Sequence, residues 1–154
     1  MQQDHEHFMR VAIDEALKGE AEGNAPIGSI VVRDGQVVAS GRNLSYTTMD
    51  PTAHAEIVAV RNAGPVLNSL DLSGCQLYTT MAPCAMCCTA AVASGVDTIV
   101  IGARSASANP LWRNYSVERF LEFMNWTDKV KIIDGILPEE CDQLRLAWEA
   151  KKSR

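Results

Sequence analysis

Four side chains of this sequence could do chemistry together: His54 and Glu56 in Thr52-Ala53-His54-Ala55-Glu56, and Cys84 and Cys87 in Pro83-Cys84-Ala85-Met86-Cys87. Two cysteines three residues apart on a helix share one face and converge on one ion, while a histidine supplies a third ligand. That nitrogen-sulfur set suits Zn2+, one per chain, and three protein ligands leave the fourth tetrahedral position to water. Zinc lowers the pKa of such a water toward neutrality, which makes it a nucleophile at ordinary pH. Glu56 need not be a ligand and is placed to carry protons to and from that water. The competing reading takes Cys84, Cys87 and Cys88 as small helix-core residues and Glu56 as a surface carboxylate beside a structural histidine. His54 is the one histidine outside the His5/His7 pair, and its occurrence with Glu56 and the two cysteines argues for the chemical reading. A purely structural zinc is disfavoured because only three good ligands are evident.

The surrounding sequence must position these groups. Met9, Ala12, Ile13, Ala16 and Leu17 recur at helical spacing and predict a first helix stopped by Gly19. Ile30 to Val32 and Val37 to Ala39 flank Asp34-Gly35, the signal of a tight hairpin. Asp50-Pro51 reads as an N-cap followed by a first helical residue, placing His54 and Glu56 in the first turns of the next helix. A strand over residues 76–80 leads to a helix opened by Pro83, running from Cys84 through Ala93 and ended near Ser94-Gly95. The N-terminal ends of these two helices would present free backbone N–H groups and a positive dipole to thiolates and bound hydroxide.

Residues 98–101 resume as a strand, and Gly102 to Tyr115, with Asn109-Pro110 and Trp112, reads as a polar rim loop. Val117 to Met124 reads as a short helix and Val130 to Ile133 as a last strand. Glu139 to Lys151 reads as a final helix with Cys141, Leu144, Ala147 and Trp148 on one face. The order α-β-β-α-β-α-β-α-β-α implies an α/β fold with a mixed sheet packed between helices.

Length and composition fit one domain spanning 1–154, since a chain of this size buries roughly 70% of its unfolded surface. The N-terminal stretch lacks a basic segment followed by an apolar one, and no apolar run reaches a membrane span, so the expectation is a cytoplasmic protein without membrane contact. Five cysteines, three of them crowded into one segment, suit thiolate chemistry better than a disulfide framework. Cys88 adjoins Cys87 and turns away from it around the helix, and Cys75 and Cys141 have no ligand-like neighbours; all three read as buried thiols. His5 and His7 read as a solvated, mobile terminus rather than a second metal site. A net charge of -5 and an isoelectric point near 5.1 disfavour a nucleic-acid partner. The basic residues of the last quarter, including Lys129, Lys131, Arg145, Lys151, Lys152 and Arg154, read as a solvated end.

His54-Ala55-Glu56 followed by Pro83-Cys84-Ala85-Met86-Cys87 resembles the H-x-E, P-C-x-x-C signature of zinc deaminases. Residues 24–28, Gly41-Arg42-Asn43, residues 50–56, Leu77 to Cys87 and Gly102-Ala103-Arg104 are similar to landmarks of the cytidine deaminase-like superfamily, in its branch of free-base cytosine and guanine deaminases and tRNA adenosine deaminases. The resemblance implies a three-layer α-β-α fold around a central five-stranded mixed sheet, frequent homodimerisation, and a small heterocyclic substrate. It also implies substrate contacts at Asn43, Ile27, Met81 and Ala82; their other roles would be turn geometry for Asn43 and packing for Ile27 and Met81.

Leu77 to Cys84 looks closer to cytosine deaminases, residues 50–56 are also guanine-deaminase-like, and the resulting expectation is a free base, cytosine slightly ahead of guanine. The tRNA deaminases are the alternative: residues 50–56 and Gly135-Ile136-Leu137 near Glu140-Cys141 resemble theirs. Against them stand Ala82-Pro83-Cys84 where they carry Glu-Pro-Cys, the lack of their Gly-rich, lysine-containing stretch after Arg104, and the acidic charge. A non-catalytic zinc-binding dimerisation module is the distant third reading.

Overall fold

The computed structural model describes residues 4–104 and 110–152; Asn109 of the rim loop and the terminal Arg154 of the basic stretch lie outside them. A five-stranded sheet runs in the order β2-β1-β3-β4-β5. Its strands are β1 (Gly28–Arg33), β2 (Gln36–Arg42), β3 (Cys75–Met81), β4 (Thr98–Ala103) and β5 (Lys131–Ile133). β1 is antiparallel to β2 and β3, whereas β3, β4 and β5 are parallel. The hairpin is as expected: Asp34 and Gly35 both take positive φ, 51° and 74°, the geometry of a two-residue turn matched to strand twist.

Among the described residues there are six α-helices: α1 (His5–Ala21), the one-turn α2 (Ser45–Thr48), α3 (Ala55–Leu67), α4 (Ala85–Ala93), α5 (Val117–Phe123) and α6 (Pro138–Lys152). Strand alternation sorts the core into two layers. Ile30, Val32, Tyr78 and Val100 face one way and pack with Phe8, Met9 and Ala12 of α1 and Cys141 of α6. Val31, Leu77, Ile99 and Ile101 face the other way, against Ala59 and Ala63 of α3, Cys88 and Ala91 of α4, and Val117 and Leu121 of α5. The result is the expected α/β three-layer sandwich.

Two close approaches set how the helices sit. A side chain at Gly41 would run into the backbone of α3 at Ala55 and Ala59, so the glycine lets α3 lie directly on β2. A side chain at Gly102 would collide with the Cys141 sulfur, so α6 rests on the end of β4 with no spacer. Cys75, Cys88 and Cys141 are buried free thiols, as expected.

Several local expectations need correction. α1 continues past Gly19 to Ala21; Gly19 is small because Arg42 and the Asn43 backbone press on it, and the chain turns at Gly23, with φ at 103°. His5 is not a mobile residue: it opens α1 and shares a 2.8 Å hydrogen bond with the hydroxyl of buried Tyr78, while His7 stays exposed. Asp50 caps no helix, because its carboxylate folds back onto Thr52, accepting from the backbone N at 2.8 Å and the hydroxyl at 2.6 Å. α3 begins three residues after Thr52, with His54 itself at the N-cap. Cys84 likewise is the N-cap of α4 rather than its first helical residue. On α6, Ala147 is exposed, and Arg145 and Glu149 share the inward side with Leu144 and Trp148. Among the described residues no helix is long and apolar enough to cross a membrane.

Candidate metal centre and substrate cavity

The two helix starts bring the sequence-distant motifs together. The His54 Nδ1 atom lies 3.6 Å from Cys84 Sγ and 3.5 Å from Cys87 Sγ, and the three ligand atoms are all within 4.8 Å of one another. Tetrahedral coordination with bonds of about 2.05 Å to nitrogen and 2.3 Å to sulfur separates such atoms by about 3.6 Å, so the donor set fits zinc in both chemistry and spacing. Because His54 and Cys84 are N-caps, the unpaired N–H groups of α3 and α4 surround this point and favour negative ligands there.

Electrostatics at the site follow from that crowding. Cys84 is pulled down to about 4 by the hydrogen bond from Cys87, helped by His54, and the Cys87 thiol is pushed up by the adjacent sulfur and by burial. A cation bound between them would favour both thiolates. His54 is raised, chiefly by its hydrogen bond with Cys84.

Glu56, in the first turn of α3, is buried, and burial raises its pKa against the opposing pull of hydrogen bonds from Cys87 and Thr79. The Thr79 hydroxyl lies 2.7 Å from Glu56 Oε1 and 2.9 Å from the Met81 carbonyl, and its single proton serves one acceptor at a time.

A cavity of about 510 Å³ opens onto this set. His54, Glu56 and Cys84 form its inner end, and Ile27, Met81 and Ala82 its near walls, so these six expected residues are brought together. Cys87 sits behind Cys84, fully buried. Asn43 does not line the cavity; its Oδ1 accepts from the Ser45 backbone N at 3.0 Å, the turn-forming geometry.

Sequence reasoning assigns the far wall to residues 102–115 and the C-terminal helix without naming its side chains. It is built by Arg104, by Trp112, Arg113 and Tyr115 from the segment before α5, and by Arg145 and Glu149 of α6. Arg104 is bound by Glu118, at 2.6 Å, and by Asp134, and Arg145 is flanked by Asp142 at 3.2 Å and Glu149 at 2.8 Å. Arg113 is exposed and paired with no carboxylate among the described residues.

Residues 2–103, spanning the ligand set and Glu56, match the family described as the cytidine and deoxycytidylate deaminase zinc-binding region. The chain belongs to this family. It is therefore a zinc-binding deaminase fold with hydrolytic deaminases as relatives. It is 34% identical over 139 residues to the tRNA-specific adenosine deaminase of Haemophilus influenzae, covering 90% of this chain and 79% of that one. It is 36% identical over 146 residues to the tRNA-specific adenosine deaminase of Bacillus subtilis, covering 93% and 87%. The guanine deaminase of Bacillus subtilis is 44% identical over 84 residues, 54% of each chain. Among solved structures, one from a study of adenosine-to-inosine editing by tRNA deaminases has a TM-score of 0.76 at 28% identity, over 90% of this chain and 98% of that one. A protein solved with 8-azaguanine has a TM-score of 0.85 at 25% identity, over 97% and 86%.

Proposed function

We propose that this deaminase acts on adenosine in RNA, as the tRNA-specific relatives are named to do, with residues 1–154 forming its single catalytic domain. This reverses the order drawn from motif resemblance and net charge, which put free cytosine and guanine first. The observation that carries the reading is in the cavity lining, where half-buried Trp112 is followed by exposed Arg113, which has no carboxylate partner among the described residues: an aromatic face for an unstacked base and a cation for the phosphate beside it. Identity to the tRNA-specific relatives across about nine-tenths of the chain supports it. The acidic net charge is compatible, since one extruded base needs only a local cation rather than a basic face.

In this reading His54, Cys84 and Cys87 hold one zinc ion. Bound there, the ion supplies a Lewis acid and an acidified water. Glu56 takes one proton from the attacking water and gives it to the ring nitrogen, then takes the remaining hydroxyl proton and passes it to the amine, so water and the amine become a ring carbonyl and ammonia. Burial suits Glu56 to this work, because raising the carboxyl pKa strengthens it as a proton acceptor. Ile27, Met81 and Ala82 pack on the ring, while Asn43, off the cavity with its Oδ1 engaged by the Ser45 backbone N, holds the turn that follows β2. A cytoplasmic homodimer belongs to the same proposal and is tested by light scattering.

A second reading, deamination of free guanine, draws on the 8-azaguanine complex, whose likeness covers 97% of this chain, and on the neutralised arginines of the outer wall. Ammonia release from an anticodon stem-loop, adenosine, guanine and cytosine decides between them. Release from the stem-loop with inosine formed in it is the expected result; release from a free base alone overturns the RNA reading.

A further inference from the structure

The segment closing the cavity opposite the metal ligands holds a contact that the chemistry above leaves unused. The Tyr115 hydroxyl donates to the Pro83 carbonyl at 2.7 Å, immediately before Cys84 and 32 residues away in the chain. Burial raises the pKa of this phenol, so it keeps the proton the bond requires. On one side of the Tyr115 ring stands Trp112, edge-on with centroids 5.9 Å apart; on the other lies Phe120, at 6.0 Å, which meets Trp126 at 5.8 Å. A file of four aromatic rings thus runs from beneath α5 to the cavity wall, and the Tyr115 hydroxyl ties it to the loop that carries a metal ligand.

We propose that Trp112 is the stacking wall for the planar ring of the substrate and that Tyr115 is its positioning residue, fastening the wall to the Pro83-Cys84 loop. Trp112 and Tyr115 both line the cavity that ends at His54, Glu56 and Cys84, so a ring held flat on Trp112 presents its edge to those groups. Stacking accepts any aromatic heterocycle and restrains it to a plane; the fixed separation between that plane and the ligand set brings the amino-bearing carbon into reach. The inference rests on the deaminase activity but on neither choice of ring.

The test uses zinc-loaded protein with Tyr115→Phe, Trp112→Phe, Trp112→Ala and the Tyr115→Phe/Trp112→Ala double variant. Tyr115→Phe keeps the ring and removes only the bond. It is expected to retain full zinc and a kcat within about 2-fold, while KM on the stem-loop or on guanine rises about 3- to 10-fold, the size of one net hydrogen bond. Trp112→Phe should keep most of the affinity, and Trp112→Ala should lose about 10-fold or more, as base-aromatic stacking predicts. In the Trp112→Ala background the further effect of Tyr115→Phe should shrink below about 2-fold, because a residue acting through another couples to it.

Acrylamide quenching of Trp112 emission, obtained by subtracting the Trp112→Phe protein, should become easier in Tyr115→Phe. Loss of zinc, a fall in kcat at unchanged KM, or additive effects in the double variant would overturn the proposal. If neither substrate releases ammonia, the substrate reading fails by itself and quenching still decides: unchanged accessibility of Trp112 in Tyr115→Phe overturns the positioning role.

Discussion

At the level of single residues, the proposed reaction centre divides labour between the metal ligands and Glu56. Cys84→Ala and Cys87→Ala each remove one of three ligands and should abolish both zinc and turnover, whereas Cys88→Ala should keep its metal, since Cys88 is buried in the α3-α4-α5 layer; metal analysis and ammonia release check all three. Glu56→Gln should keep zinc and lose about 10²- to 10⁴-fold in turnover, the usual worth of a positioned proton carrier. The same variant has a signature in stability. Burial raises Glu56, so the folded protein binds that proton more tightly than the unfolded chain does. Its contribution to stability is complete below the unfolded carboxylate pKa and is lost as pH rises through the higher folded value. Metal-stripped parent protein should therefore lose Tm relative to Glu56→Gln on going from about pH 4 to about pH 8, read by calorimetry. The ligands and Glu56 were legible in the sequence because their spacing is local and few residue types can do the work. Trp112, Tyr115, Arg145 and Glu149 were not, since they reach the cavity from segments that no spacing rule links to the motifs.

Among the elements, what matters is how helix starts are aimed. Gly41 lets α3 lie on β2, and β2 leads through Arg42 to Asn43, so one contact sets the position of His54 and Glu56 together. Gly41→Ala should push α3 outward, costing about 1–3 kcal/mol as overpacking does. Activity should fall further than stability, and chemical denaturation beside kinetics separates the two. Asn24 acts similarly on the short helix α2: its Oδ1, fully buried, accepts from the backbone N of Tyr46 at 3.1 Å and of Thr47 at 3.0 Å. The sequence disclosed the order of strands and major helices because apolar periodicity and turn residues are strong local signals. It misplaced the starts of α3 and α4 by a few residues because Asp50 satisfied its carboxylate within its own turn, and the N-cap positions passed to the metal ligands themselves. α2 was invisible, being one turn stabilised by a distant asparagine.

For the molecule as a whole, the question is how an acidic protein meets its substrate. With a net charge of -5 and the arginines at 104 and 145 already paired with carboxylates, contacts with RNA reduce to a few phosphates. If two or three are held, kcat/KM on a stem-loop should fall roughly tenfold between about 50 and 200 mM salt, while a free base should change by less than about twofold. Kinetics across that range, with Arg113→Gln flattening the slope, measure this directly. The cavity's outer wall is also a property of the whole molecule, since α6 is clamped to α1 by Arg10–Glu140 at 2.9 Å and Lys151–Glu20 at 3.2 Å, and seated on Gly102 through Cys141. That seat has an evolutionary meaning. Any residue larger than glycine at 102 presses on Cys141 and the Thr80 carbonyl, acting as a shim beneath α6 that shifts Arg145 and Glu149 while the zinc ligands keep their identity. A descendant could thus trade one amine for another by thickening a single packing layer, keeping the ancestral chemistry intact while its diet changes.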